Sequence, residues 1–352
     1  MARVLVLLGI TKVRITGGEP LLRKGVVDFV RELRKLEPQG LKPQSVDAAS
    51  GTSGTRALPG VAAEGNFQGL KPNSLQSAGD TAESVPCRSS PQGLNPASLN
   101  SSNGTTKVVP SHETLDIAIT TNGHLLADVA QPLKAAGLNR VTVSMDAVDA
   151  DQFTRITRVP GGFDHVLAGM RAARDAGLGP VKVNCVLMRG FNEDQIVPFG
   201  IFAREEGVVV RFIEFMPLEE DRVWAPSTVV PLEEILQRMG EYRPLLEIPH
   251  SRSETARRYR FDDGIGEIGI IAPVSHPFCG HCSRIRITSD GKIRTCLFSV
   301  WDHDLHALMR RGASDDELAD FIVGVVQKKE ERHHIGEPDF VPASRTMVHI
   351  GG

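Results

Sequence analysis

The densest chemistry in this sequence is Cys279-Gly280-His281-Cys282, followed after thirteen intervening residues by Cys296. Two thiols at C-x2-C spacing on one turn can share a metal, and a third can return to them across a hairpin. Three thiolates fit an iron–sulfur cluster with one iron left open, or zinc with a fourth ligand for which His276 and His281 are candidates. The bland alternative is a tight turn with uninvolved thiols. The third nearby cysteine argues for metal, and spacing alone leaves zinc and iron–sulfur both open. The chain has 5 cysteines, an odd count that argues against a secreted disulfide framework. Cys185, in Val183-Asn184-Cys185-Val186-Leu187, reads as a core cysteine and Cys87 as a bystander.

Ile15-Thr16-Gly17-Gly18-Glu19-Pro20 ends a strand pattern. Paired glycines let the backbone approach a ligand closely and leave its polar groups exposed, although a bare Gly-Gly after a strand is more often only a turn. Thr120-Thr121-Asn122-Gly123 and Ser144-Met145-Asp146 also sit at strand ends, and in a parallel sheet such ends converge on the face where ligands bind. Arg14 and Lys182 lie on or beside strands, where a long cation is costly unless it meets an anion or solvent. Arg284 and Arg286 alternate along one strand and so face one side. Two guanidiniums beside an open metal site suit a phosphate-bearing or polar heterocyclic substrate. His303, His306, His333 and His334 lie in polar segments and are given no role.

The elements that must position these groups alternate. Strand patterns at 12–16, 116–121, 140–146, 181–188 and 208–216 interleave with helical spacing at 26–36, 125–136, 163–173 and 193–206. This predicts a parallel sheet covered by helices, open or closed. After about residue 220 the pattern changes to short strands at 257–261, 267–271 and 284–288. Asp290-Gly291 is a hairpin turn before 292–297, and two helices follow near 304–309 and 315–328. Residues 38–111 hold eight prolines, nine glycines and twelve serines against one aromatic residue, Phe67. So little apolar surface cannot offset the entropy of ordering, which predicts a disordered low-complexity insertion.

Composition excludes other classes. The 352 residues carry 40 Lys+Arg against 43 Asp+Glu, a net charge of −3, so no global basic field exists for nucleic acid. Aromatics are 5%, too few for base-stacking platforms. No stretch reaches the ~20 apolar residues of a membrane span, and the opening apolar run lacks a cleavage site. A cytoplasmic protein without a membrane partner is expected.

These residues in this order resemble the molybdenum cofactor biosynthesis protein A family, the GTP 3′,8-cyclases of the radical S-adenosylmethionine superfamily. The match runs through Lys12-Val13-Arg14-Ile15-Thr16-Gly17-Gly18-Glu19-Pro20-Leu21, Thr120-Thr121-Asn122-Gly123 and Val143-Ser144-Met145-Asp146-Ala147. It continues through Lys182-Val183-Asn184, Arg211-Phe212-Ile213-Glu214-Phe215-Met216, the three cysteines with Arg284 and Arg286, and Ile350-Gly351-Gly352, covering residues 1–37 and 112–352.

The resemblance implies an α/β fold: an incomplete (β/α)6 partial TIM-type barrel (1–37 and 112–218) with a C-terminal α+β extension (219–352). The extension would hold an auxiliary 4Fe–4S cluster on Cys279, Cys282 and Cys296, its open iron facing GTP. Gly18, Ser144 and Met216 would contact S-adenosylmethionine. Arg14, Thr120, Lys182, Arg284 and Arg286 would hold GTP, with the Gly351-Gly352 tail reaching the site. In the family a 5′-deoxyadenosyl radical removes the ribose 3′ hydrogen and the 3′ carbon bonds to guanine C8. A cyclic pyranopterin monophosphate synthase acts on the product, and a homodimer is compatible with the family.

One feature departs from the family pattern. The C-x3-C-x2-C motif of the cluster that binds S-adenosylmethionine should precede the Gly-Gly-Glu-Pro loop, yet sixteen residues precede Gly17 and none is Cys. The expectation is a misassigned start or a truncated chain, a barrel missing its first βα unit and an open sheet edge at 12–16. No catalytic residue is then assigned, and the chain is expected not to cleave S-adenosylmethionine. The rival readings are a catalytically dead remnant that binds a cluster and nucleotide, and a zinc-stabilised binding protein.

Overall fold

A computed structural model describes residues 1–36, 114–219, 223–251, 253–338, 340–343 and 345–350. Chain contacts separate one unit, Met1–Leu41 with Pro110–Gly352, from another, Lys42–Val109; the described residues all belong to the first. The expected insertion at 38–111, with Cys87, and the Gly351-Gly352 tail lie outside the described residues.

Helix α1 (Ala2–Leu7) leads into β1 (Lys12–Ile15) and α2 (Val26–Arg34). The chain resumes with β2 (Asp116–Thr121), α3 (Leu126–Ala135), β3 (Arg140–Ser144), α4 (Ala150–Thr157), α5 (Gly162–Asp175), β4 (Lys182–Leu187), α6 (Ile196–Glu206) and β5 (Val209–Glu214). Then come α7 (Leu232–Tyr242), β6 (Leu245–Ile248), β7 (Arg257–Phe261) and β8 (Glu267–Ile271). A three-stranded lobe of β9 (Arg286–Ile287), β10 (Lys292–Arg294) and β11 (His303–Asp304) is followed by α8 (Leu305–Arg310), α9 (Asp315–Val326) and α10 (Met347–Ile350). The sheet is α/β and mostly parallel, as the alternation predicts, and among the described residues it does not close into a barrel.

The sheet is longer than the sequence indicates. Its order is β1-β2-β3-β4-β5-β8-β7-β6, so strands 257–261 and 267–271, read as part of the smaller region, extend the main sheet. β8 pairs parallel with β5 from Val209↔Glu267 to Ile213↔Ile271, and Ile268 and Ile270 continue its buried face. Among the described residues β1 pairs only with β2 and forms the outer edge.

One face of the central strands is apolar, and the other mixes apolar with polar and charged residues. Ile117, Ile119, Val141, Val143, Val183, Cys185, Val210 and Phe212 pack against Val30, Leu126, Val166, Phe199 and Met239 of the helices in one core. Residues between them point the other way, since side chains alternate along a strand. β4 shows this directly: Val183, Cys185 and Leu187 are buried, while Lys182, Asn184 and Val186 remain partly accessible. Helix α4 was missed. Asp149 caps it by accepting the Gln152 N–H at 2.8 Å, a local signal that its short apolar pattern does not reinforce.

Two smaller clusters build the C-terminal lobe. Val4 of α1 joins Ile293, Leu305, Leu318, Ile322 and Val325, so the first helix packs against the lobe. Leu218, Phe298 and Ile350 form the other, with Met216 and Cys296 packed against them.

Candidate active site

The face opposite the helices carries the charge. In register across the sheet stand Arg14, Ala118 and Arg140, then Thr120, Thr142 and Lys182, then Ser144, Asn184 and Arg211. Arg14 Nη1 donates to Thr120 Oγ1 at 3.2 Å and to Thr142 Oγ1 at 3.4 Å, and Arg211 Nη2 reaches the same Thr142 oxygen at 3.3 Å. Thr142 therefore serves two guanidiniums. Asp116 pairs with Arg140. No carboxylate stands at ion-pair distance from Arg14, Lys182 or Arg211 among the described residues.

Burial and like charge act together here. Burial, then Arg211, Arg140 and Arg14, push Lys182 down to about 8. Burial also lowers Arg14 and Arg211, reinforced by their cationic neighbours; a guanidinium stays charged nonetheless. Such a face is held ready for an anion. Among the described residues, two buried polar atoms here have no partner: Arg211 Nε, a donor, and Asn184 Oδ1, an acceptor. Gly269 leaves Arg211 its room, because a Cβ there would stand 3.3 Å from Arg211 Cγ.

The polar strand ends are braced to one another. Glu19 accepts from the Leu21 N–H at 2.9 Å, the Thr121 hydroxyl at 2.7 Å and the Asn122 N–H at 2.7 Å, tying the Gly-Gly-Glu-Pro loop to the end of β2. Gly17 has φ +147°, a conformation that favours glycine. Asp146 Oδ1 accepts the Val186 N–H at 2.8 Å, joining the β3 end to β4. Burial raises Asp146 to about 6, against that hydrogen bond. Gly18, Ser144 and Met216 follow or end β1, β3 and β5, on the C-terminal edge of the sheet.

The lobe brings the thiols and two more cations. Cys279 and Cys282 flank a single 3-10 turn closed by Cys282 N–H to Cys279 O at 3.0 Å. Arg284 precedes β9 rather than lying on it; its Nη2 donates to Cys282 Sγ at 3.2 Å and its charge lowers Arg14 across the site. Burial alone would raise Cys282, but the Arg284 N–H and guanidinium, with Lys329, outweigh it and lower the thiol. Arg286 is lowered first by burial and then by Arg284, with Cys296 and Cys282 opposing. Burial raises Cys296.

Among the described residues no three His, Cys, Asp or Glu side chains stand close enough together to hold a metal ion. In chemistry the donor set still fits an anionic thiolate-bound cluster, since three partly buried thiols share a lobe with Arg284, Arg286 and Lys329. His276, a candidate fourth ligand for zinc, pairs instead with Glu233 of α7. A cluster ligating S-adenosylmethionine finds no donor set among the described residues: the remaining thiol, Cys185, is 0% exposed in the core, pushed well up by burial and Asp146.

Sequence reasoning missed Arg140, Thr142, Asn184 and Arg211 as members of this face. Polar residues alternate with apolar ones around Arg140, Thr142 and Asn184 on β3 and β4, but β5 offers no such pattern around Arg211.

The Molybdenum Cofactor Synthesis C family model matches residues 208–335, and the Radical SAM superfamily model matches residues 101–200. A GTP 3′,8-cyclase of Paenarthrobacter nicotinovorans is 42% identical over 259 residues, 69% of this chain and 73% of that protein. That of Moorella thermoacetica is 34% identical over 100% of this chain and 85% of its own length. The chain belongs to the GTP 3′,8-cyclase family. It spans 62% of the Acidothermus cellulolyticus relative, at 40% identity. A solved radical SAM methyltransferase from Sphaerobacter thermophilus overlaps 36% of each chain at 22% identity and TM-score 0.28. Membership of the radical SAM superfamily implies a 4Fe–4S cluster and S-adenosylmethionine. No described helix is long and apolar enough to cross a membrane.

Proposed function

We propose that this chain binds GTP on the cationic face and serves the GTP 3′,8-cyclase reaction of molybdenum cofactor biosynthesis, which joins ribose C3′ to guanine C8. The observation that carries the reading is the set of Arg14, Lys182 and Arg211, gathered on one face with no carboxylate at ion-pair distance among the described residues. Such a face suits a triphosphate, whose charge restores what burial and mutual repulsion cost the cations. Thr120 and Thr142 hold the Arg14 guanidinium by accepting its hydrogen bonds, and the Arg284 charge acts on it from the lobe.

Gly18, Ser144 and Met216, at the C-terminal edge, are the proposed contacts to S-adenosylmethionine. Cys279, Cys282 and Cys296 are the proposed ligands of the auxiliary 4Fe–4S cluster, with Arg284 and Arg286 balancing its charge and facing the nucleotide. When bound, such a cluster supplies an iron open to a donor atom of the substrate. A cyclic pyranopterin monophosphate synthase would take the product. Calorimetric titration with GTP tests the binding. R14Q, K182Q and R211Q are each expected to weaken it about tenfold or more, and binding that all three leave intact would contradict the proposal.

A further inference from the structure

Glu214 closes β5, two residues before Met216. It is 0% exposed, and each of its four partners is a donor. Oε1 accepts the Leu232 N–H at 3.2 Å and the Ser275 hydroxyl; Oε2 accepts the Val274 and Ser275 N–H groups at 2.8 and 2.9 Å. Leu232 opens α7, and Val274-Ser275 belong to the segment running from β8 to the cysteine turn. The next residue, His276, pairs with Glu233 of α7, and its N–H donates to Ala272 O at 3.1 Å. Three consecutive residues are thus pinned just before Cys279.

We infer that Glu214 is a positioning residue: one buried carboxyl group sets where the Cys279–Cys282 turn stands relative to the end of β5. Among the described residues Val274 and Ser275 have no strand neighbour to hold their N–H groups, so the carboxyl group does it. A buried donor left unsatisfied is costly, so the segment is expected to open when the group changes. Glutamine keeps the shape but turns an NH2 group towards N–H donors. The functional meaning of this brace rests on the reading of these thiols as cluster ligands; the brace itself does not.

The test is iodoacetamide labelling of the full 352-residue chain, reduced and free of metal, with each cysteine followed by peptide mass spectrometry. In E214Q, Cys279 and Cys282 are expected to label about tenfold faster, the scale of leaving one buried N–H donor unsatisfied. Cys296 is expected to stay within about twofold and Cys185 to remain protected, with E214D falling between wild type and E214Q. Unchanged rates at Cys279 and Cys282 in folded E214Q would overturn the inference, and so would a parallel rise at Cys185 and Cys296, which marks general loosening. If E214Q does not fold, S275A removes the hydroxyl bond alone. A rise of about two- to threefold at the same two cysteines is then expected, and no rise overturns the inference. Iron and sulfide analysis of the reconstituted wild type decides the cluster reading separately, while the labelling pattern decides Glu214 whatever that analysis gives.

Discussion

Lys182 gives the binding reading a signed pH dependence. Burial first, then Arg211, Arg140 and Arg14, hold it at about 8 in the free protein. A bound triphosphate reverses the repulsive part and returns the ammonium towards its ordinary value of about 10.4. If the protonated form binds, the apparent dissociation constant scales with one plus the ratio of neutral to charged lysine. That factor is about 1.1 at pH 7 and about 11 at pH 9, so GTP affinity should fall about tenfold across the interval. Stability of the free protein runs the other way. Because the folded value lies below the unfolded one, the unfolded chain binds more protons between about pH 8 and 10.4, and the Lys182 contribution to stability rises with pH there. Isothermal titration of GTP at pH 7, 8 and 9 measures the first trend, and the difference in melting between wild type and K182M isolates the second. Wild-type affinity that is flat over this range, or a slope that survives in K182M, would refute the reasoning.

Other outcomes follow from the same contacts. T142V removes the oxygen shared by Arg14 and Arg211 and should weaken GTP binding about three- to tenfold through lost preorganisation; tighter binding in calorimetry would mean that Thr142 merely competes for the guanidiniums. R294M deletes a guanidinium that is 0% exposed and pairs with Asp302. Arg345 still reaches Asp302, so the loss is expected near the lower end for a broken buried pair, about 3 kcal/mol, read as a lower midpoint in urea.

The strands and the thiol motif were legible because they are local. Apolar runs marked β2, β4 and β5, Asp290-Gly291 marked the turn between β9 and β10, and the C-x2-C spacing is a property of one turn. Arg211 and Asn184 were not legible as site residues. Their meaning comes from register, which sets Ser144, Asn184 and Arg211 abreast although they are far apart in sequence. The extension of the sheet through β8, β7 and β6 was hidden for a similar reason, since short strands after a loop-rich stretch look the same whether they join an old sheet or start a new one. Arg294 illustrates the limit: nothing local marks it as a buried cation, and the fold brings it to Asp302 and the Ser299 carbonyl, with Asp302 held in turn by the distant Arg345. Glu214 lies inside the strand pattern at 208–216 with no local sign of its role, and only the folded chain brings α7 and the segment after β8 onto its two oxygens.

The most direct test is anaerobic reconstitution of the chain with iron and sulfide, followed by metal analysis and electron paramagnetic resonance with and without GTP. The account predicts about four irons and four sulfides per chain, lost on replacing Cys279, Cys282 or Cys296 by alanine but not Cys185, and a signal that shifts when GTP is added. Stoichiometric zinc without sulfide, or a cluster signal indifferent to GTP, would contradict it.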